Sequence, residues 1–378
     1  MNEDWLDKKL EEKKEQHAFR RLRLPDGKVD MCSNDYLGIA TNGLIERAME
    51  GLDERDIPPG GVRHGSGGSR LLAGNYPLIG EVEQDLSIFH AAEAGLIFNS
   101  GYDANLGLFS CIAQRGDTIL YDALSHASMR DGIRLSFARA LSFAHNDLED
   151  LEKRLQAGEG KVIVATESVF SMDGDQAPLV EMAGLCQRYD AHLIVDEAHA
   201  TGVAGERGEG LVQALGLERA CFARVHTFGK ALGCHGAIIL GSQRLRDYLI
   251  NFCRSFIYTT ALPEASVLAI RMAYRLFPGM HAERAHLRTL IGRLQGAALD
   301  YEKLRSETPI QGVLAPGNEA VRALADRLQA AGLDIRPILY PTVPKGSERL
   351  RIVLHAYNTL DEIDRLIGLL QKHKPAHH

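Results

Sequence analysis

Lys230 stands in "VHTFGKALG" (225–233), behind a short apolar run and between Gly229 and Gly233. A lysine there either ends a strand at the surface or is held where water is scarce. In the second case its pKa falls and the amine works as nucleophile and base, able to form a Schiff base with an aldehyde. The flanking glycines would give a bulky partner room and let the backbone turn. Asp196, in "LIVDEAHATG", lies 34 positions earlier at the end of another apolar run. It reads as a helix N-cap or ion pair, or as a fixed negative charge facing a cationic ring nitrogen. A carboxylate against the pyridinium of pyridoxal phosphate keeps that ring an electron sink. His199 follows three residues on and shares the site if the chain turns. His126, in "DALSHASMRDG", is either structural or stacked on an aromatic ring. Thr227 and the amides of Gly101 and Tyr102, in "NSGYDAN", would hold a phosphate.

These residues share one kind of position. Apolar runs suited to buried strands occur at 95–99, 118–122, 161–166, 191–196, 224–228 and 236–241. Helical patterns lie between several of them, as at 147–157 and 179–189. Strands alternating with helices predict an α/β fold, a mainly parallel sheet covered on both faces, with "GAIILG" running antiparallel. Ligands of such sheets bind at the carboxyl ends of the strands. Gly101 and Tyr102, His126, Glu167 with Ser171, Asp196 with His199, and Thr227 with Lys230 all follow a run. Beyond residue 280 the pattern becomes helix, strand, strand, helix, a smaller α/β sandwich. The predicted organisation is an N-terminal helix and arm (1–35), a large domain (36–280) and a small domain (281–378). In the small domain Arg349 and Arg351 alternate with Leu350 and share a face. Arg351 reads as a carboxylate clamp or as a surface ion pair.

Composition narrows the class. The 378 residues are 45% hydrophobic and 25% charged, with a net charge of −7, as in soluble globular proteins. The densest basic stretch, "FRRLR" (19–23), is too short to suggest nucleic acid or an anionic membrane. The six cysteines form no CxxC pair and no zinc-ligand spacing, so no metal site is expected. The charged N-terminus lacks an apolar signal core, and no run is long enough to span a bilayer, so a cytoplasmic protein is expected. "DEAH" matches a helicase box, but no G-x-x-x-x-G-K-[ST] loop accompanies it. The terminal His377–His378 reads as the remnant of a tag.

"SNDYLG", "GSGGSRLLAG", "NSGYDAN", "ESVFSMDGD", "VDEAHATGVAGERGEG" and "TFGKALG" occur in this order. Together they resemble the α-oxoamine synthases, fold-type-I enzymes dependent on pyridoxal 5'-phosphate that condense an amino acid with an acyl thioester and release carbon dioxide. The resemblance runs from about residue 17 to 372. It is greatest to the branch joining L-alanine to a pimeloyl thioester, on coenzyme A or an acyl-carrier protein, in biotin biosynthesis. Glycine C-acetyltransferase, 5-aminolevulinate synthase and serine palmitoyltransferase types stay open, as does a fold-type-I aminotransferase. The resemblance implies that Lys230 carries the Schiff base, Asp196 pairs with the ring nitrogen and His126 stacks on the ring. It places Ser171 and His199 on the phenolic oxygen, and Gly101, Tyr102 and Thr227 on the phosphate. Thr259 and Thr260 would reach the phosphate from a neighbouring subunit, implying a homodimer. Asn34 and Arg351 would bind the amino-acid carboxylate; Arg21 and Thr342 would contact the acyl substrate. Two departures are Phe228, where many relatives carry an aliphatic residue, and the lack of a histidine near Leu78 or Ile79.

Overall fold

The structure is a computed structural model describing residues 2–22, 24–25, 27–52, 57–58 and 61–373. Arg23, Gly60 and His377–His378, named in or bordering the motifs above, lie outside these. In chain order the strands are β1 (Val29–Asp30), β2 (Ala94–Phe98), β3 (Thr118–Asp122), β4 (Arg139–Phe143), β5 (Val162–Glu167) and β6 (His192–Asp196). They continue with β7 (Cys221–Thr227), β8 (Ala237–Gly241), β9 (Ile310–Leu314), β10 (Leu333–Asp334), β11 (Arg336–Ile338) and β12 (Arg349–Val353). The chain divides into two compact units. The larger holds residues 37–170 and 176–284; the smaller holds 1–36, 171–175 and 285–378.

The larger unit is built on a seven-stranded sheet of order β2-β8-β7-β6-β5-β3-β4. The bonds along β7-β6-β5-β3-β4 are parallel, and β8 runs antiparallel to both β2 and β7, as expected for "GAIILG". Side chains alternate between two cores. Ile163, Ile194 and Val225 join Leu108, Ile119 and Ile239 on one face. Val164, Leu193 and Val195 join Leu120, Leu151 and Met182 on the other. Burial on both faces is why these strands read as continuous apolar runs. Each such side chain contributes about 1.5–3 kcal/mol by leaving water. The edge strand β4, "RALSF", is largely exposed and carries no such run; periodicity alone misses it.

Three devices at the sheet's carboxyl edge are local. Ser100 caps the helix Gly101–Ile112 by accepting from the Asp103 N–H. His126 caps the helix Ala127–Leu135 by accepting from the Ser128 N–H. Gly233 has φ +62°, and a Cβ there would lie 2.7 Å from the Ala40 nitrogen. Glycine is therefore required at 233 by the turn and by close backbone approach.

The smaller unit pairs β1 with β10 and carries a three-stranded antiparallel sheet, β11-β12-β9. The helices Asn318–Ala330 and Leu360–Lys372 match the expected pattern, the second opened by a capping box of Thr359 and Glu362. The strand β9, "IQGVL", was not among the expected strands. Among the described residues no helix is long and apolar enough to cross a membrane.

Candidate functional site

The ends of β5, β6 and β7 bring the larger unit's polar residues together. Lys230 is half-buried just beyond β7. Its Nζ lies 2.8 Å from His199 Nε2, so the segment after Asp196 does turn back to the lysine. His199 is only 4% exposed.

Asp196 ends β6 and is 6% exposed. Its Oδ1 accepts the Ala198 N–H at 2.8 Å, and its Oδ2 accepts from Asn105 Nδ2 at 2.6 Å. The first bond is what a cap would make, yet no helix begins there. Among the described residues Asp196 forms no ion pair. It is a carboxylate fixed in place by two N–H donors, and buried charge needs such partners.

Asn105 connects this carboxylate to His126. Its amide also donates to Ser128 Oγ at 3.0 Å, and Ser128 Oγ lies 2.8 Å from His126 Nδ1. The Ser128 N–H also points at His126 Nδ1, at 3.2 Å. Nδ1 therefore accepts, and the neutral ring carries its hydrogen on Nε2, a tautomer assigned from the network. His126 as a residue is exposed, while the Nδ1 edge of its ring is held against Ser128. Dehydration by surrounding protein lowers the imidazole pKa; the Asp196 carboxylate opposes this and the Lys230 charge adds to it.

Glu167, at the end of β5, is paired in register with Asp196. Its Oε1 accepts the His126 backbone N–H at 2.7 Å. Burial, reinforced by the neighbouring Asp196, pushes its carboxyl up to about 8, against the pull of Lys230. Asp196, Glu167, His126 and Lys230 thus act on one another electrostatically, as sites of proton chemistry do.

Gly101 and Tyr102 open the helix Gly101–Ile112, where backbone amides lack intrahelical acceptors. A Cβ on Gly101 would lie 3.4 Å from Thr227 Oγ1, so the two positions are adjacent. Tyr102 is exposed and bonds Asp131 through its hydroxyl. Asn99 Nδ2 donates to Thr259 Oγ1 at 2.9 Å and to the Thr260 carbonyl at 2.8 Å. Both threonines are thus tethered, within one chain, two residues before Gly101.

Phe228, the residue before Gly229, is fully buried. Its ring meets Tyr274 edge-on at 6.1 Å, and Tyr274 meets Phe89 and Phe277 the same way. The aromatic residue fills an aromatic cluster behind the lysine turn. Leu78 and Ile79 are core residues, so their positions present no polar group.

The other expected residues belong to the smaller unit. Arg351 is 9% exposed. Its Nε donates to the Ser171 carbonyl at 2.6 Å and its Nη2 to Asn34 Oδ1 at 2.9 Å. The Tyr36 hydroxyl also acts on this guanidinium, which is thereby fixed in place. Arg349 on the same strand is instead consumed by an ion pair with Asp173; Arg351 itself makes no ion pair among the described residues. Arg21 and Thr342 are both exposed and line a cavity of about 960 Å³ with Phe19, Met172, Arg322 and Leu339.

Sequence reasoning missed Asn105, Ser128 and Arg322. Asn105 is 2% exposed inside an apolar helix stretch; its one signal is its place one turn beyond Gly101.

An 8-amino-7-oxononanoate synthase of Emericella nidulans is 42% identical over 96% of this chain and 94% of its own length. A solved serine palmitoyltransferase from S. paucimobilis superposes with a TM-score of 0.85 at 28% identity, over 98% of this chain and 96% of that one. A solved 8-amino-7-oxononanoate synthase from Francisella tularensis gives 0.78 at 29% identity, over 92% and 98%. The aminotransferase class I and II model matches residues 26–370, and the chain belongs to that family.

Proposed function

We propose that this protein is a pyridoxal-phosphate-dependent acyltransferase, an 8-amino-7-oxononanoate synthase of biotin biosynthesis. It would condense L-alanine with a pimeloyl thioester, on coenzyme A or an acyl-carrier protein, releasing carbon dioxide and the free thiol. The observation that carries this reading is the half-buried Lys230 amine 2.8 Å from His199, beside a carboxylate fixed by Asn105 and Ala198. The 42% identity to a synthase of that name supports the same reading. The enzyme would act as a cytoplasmic homodimer, with Thr259 and Thr260 serving the neighbour's site.

The residues fit the cofactor. Asn105 Oδ1 and Ser125 Oγ are buried polar atoms without partners. The amides of Gly101 and Tyr102 and the Thr227 hydroxyl form a cradle at a helix start, which suits a phosphate. When bound, pyridoxal phosphate supplies the electron sink that stabilises negative charge at the substrate α-carbon. Asp196 would hold positive charge at the ring nitrogen, and the Asn105–Ser128 relay would keep His126 oriented for stacking. His199 and Ser171 would bond the phenolic oxygen. Glu167 holds the His126 amide and thereby the start of its helix. Arg351 and Asn34 would bind the alanine carboxylate. The Lys230 amine would take the α-proton and return a proton to the same carbon, with His199 at hydrogen-bond distance to orient it.

Borohydride reduction followed by peptide mass analysis tests the centre of this reading. A pyridoxyl adduct is expected on Lys230, and an adduct elsewhere overturns it. The superposition on serine palmitoyltransferase favours a second reading, in which another amino acid is used. Carbon dioxide release from alanine, glycine and serine with pimeloyl, acetyl, succinyl and palmitoyl thioesters separates the two.

A further inference from the structure

Arg322 lies on the helix Asn318–Ala330 of the smaller unit and lines the cavity of about 960 Å³. That volume is in the ~300–1,000 Å³ range of small-molecule sites. Arg322 makes no hydrogen bond or ion pair among the described residues, and its Nε is buried without a partner. Other buried arginines here are engaged: Arg70 with Glu83, Arg349 with Asp173, Arg351 with Asn34, and Arg224 with the His90 carbonyl. Asp326 follows at the i+4 spacing that pairs charges on a helix, and it too lines the cavity. No ion pair forms between them. A half-buried cation without a counter-ion is costly. The cost is removed when an anion enters.

The surroundings specify what kind of anion. Beside Arg322 the wall is mostly apolar, through Phe19, Met172, Ile338 and Leu339. Arg336, also in the wall, is already neutralised by Asp334 at 2.9 Å. Arg20 and Arg21 sit on the exposed segment before β1. The cavity therefore offers one half-buried, unpaired guanidinium in a largely apolar wall, and three exposed cations, Lys13, Arg20 and Arg21. The half-buried cation in an apolar wall suits a polymethylene chain ending in a carboxylate. Phosphates of an acyl carrier would suit the exposed cations instead.

We propose that Arg322 is a specificity-determining residue that reads the distal carboxylate of a dicarboxylic acyl chain. This rests on the acyl-transfer reading above, whose product carries its acid at the far end of the former acyl group. It separates such a substrate from a fatty acyl chain of similar length, whose methyl end would leave the guanidinium unpaired.

The test uses the holoenzyme and the variants Arg322→Met and Arg322→Lys, with L-alanine and the coenzyme A thioesters of heptanedioic and heptanoic acids. The wild type should prefer the ω-carboxyl thioester. Arg322→Met should cut the ratio of the two kcat/KM values by about 10- to 100-fold, the worth of a charged hydrogen bond. Arg322→Lys should restore part of it, and a melting curve confirms that each variant is folded. An equal fall with both thioesters assigns Arg322 to the carrier's phosphates and overturns the proposal, as does an unchanged ratio. Calorimetric titration with heptanoate and heptanamide, a polymethylene chain with and without a terminal carboxylate, reads the same preference without turnover. If the wild type condenses no thioester, the acyl-transfer reading has failed, and the titration still decides Arg322. Equal binding of the two by the wild type, or a preference that survives Arg322→Met, overturns it.

Discussion

Asn105→Ala is the sharpest probe of how the site is held. The amide makes two bonds, to Asp196 Oδ2 at 2.6 Å and to Ser128 Oγ at 3.0 Å. The first is charge-assisted and worth about 1.5–3 kcal/mol; the second is neutral and worth about 1 kcal/mol. Set against these losses, the substitution also deletes Asn105 Oδ1, a buried acceptor with no partner, which relieves about 1–3 kcal/mol of desolvation. Folding stability should therefore fall by only about 1 kcal/mol, and at most by about 3 kcal/mol. Cofactor binding has no such compensation. Asp196 keeps only the Ala198 N–H, and the relay to His126 is cut. A loss of about 1.5–3 kcal/mol in orienting Asp196 predicts a cofactor Kd raised about 10- to 100-fold, read by absorbance titration of the apoenzyme with pyridoxal phosphate. The decisive measurement is a double-mutant cycle with Asp196→Asn. If Asn105 acts through Asp196, adding Asn105→Ala to Asp196→Asn should weaken binding by less than about twofold, and the coupling should be of the order of the single effect. Additive losses, or a Kd within twofold of wild type in Asn105→Ala alone, would refute the reasoning.

Two further expectations concern stability. Glu167 titrates near 8 because burial and then Asp196 disfavour its charge, whereas its ordinary value is 4.5. An acid raised in this way takes up its proton on folding, so its contribution is complete below about 4.5 and is lost as pH rises through about 8. Glu167→Gln, which cannot ionise, should lose less stability than wild type between about pH 5 and 9 in urea unfolding; equal losses would mean that Glu167 ionises freely. Phe228→Leu should cost about 1–2 kcal/mol by thinning the aromatic cluster with Tyr274, seen as a lower Tm. A fall in kcat/KM larger than this stability loss accounts for would show instead that Phe228 shapes the lysine turn.

What the sequence made legible follows from what a buried parallel strand must look like. β5, β6 and β7 are packed on both faces, so they appear as unbroken apolar runs, and the first polar residues after each run must lie at the carboxyl edge of the sheet. That geometry alone picks out Glu167, Asp196 and Thr227, and the short distance onward to His199 and Lys230. Residues contributed by helices carry no such marker. Asn105 sits in "GYDANLGLF", where a polar residue among apolar ones reads as helical periodicity; its importance arises only when the helix is laid across the end of β6. Arg322 is more misleading still. With Asp326 at i+4, local rules assign it a routine surface ion pair, and only the folded helix shows that the pair is not made. The two arginines of β12 teach the same lesson on a strand. Arg349 and Arg351 share one face and one local pattern, yet the segment 171–175 gives Arg349 an aspartate and Arg351 only a carbonyl. Which charge meets a counter-charge is decided by the partner each finds in the fold. Local pattern can propose the residue; the presence or absence of its counter-charge is visible only in three dimensions.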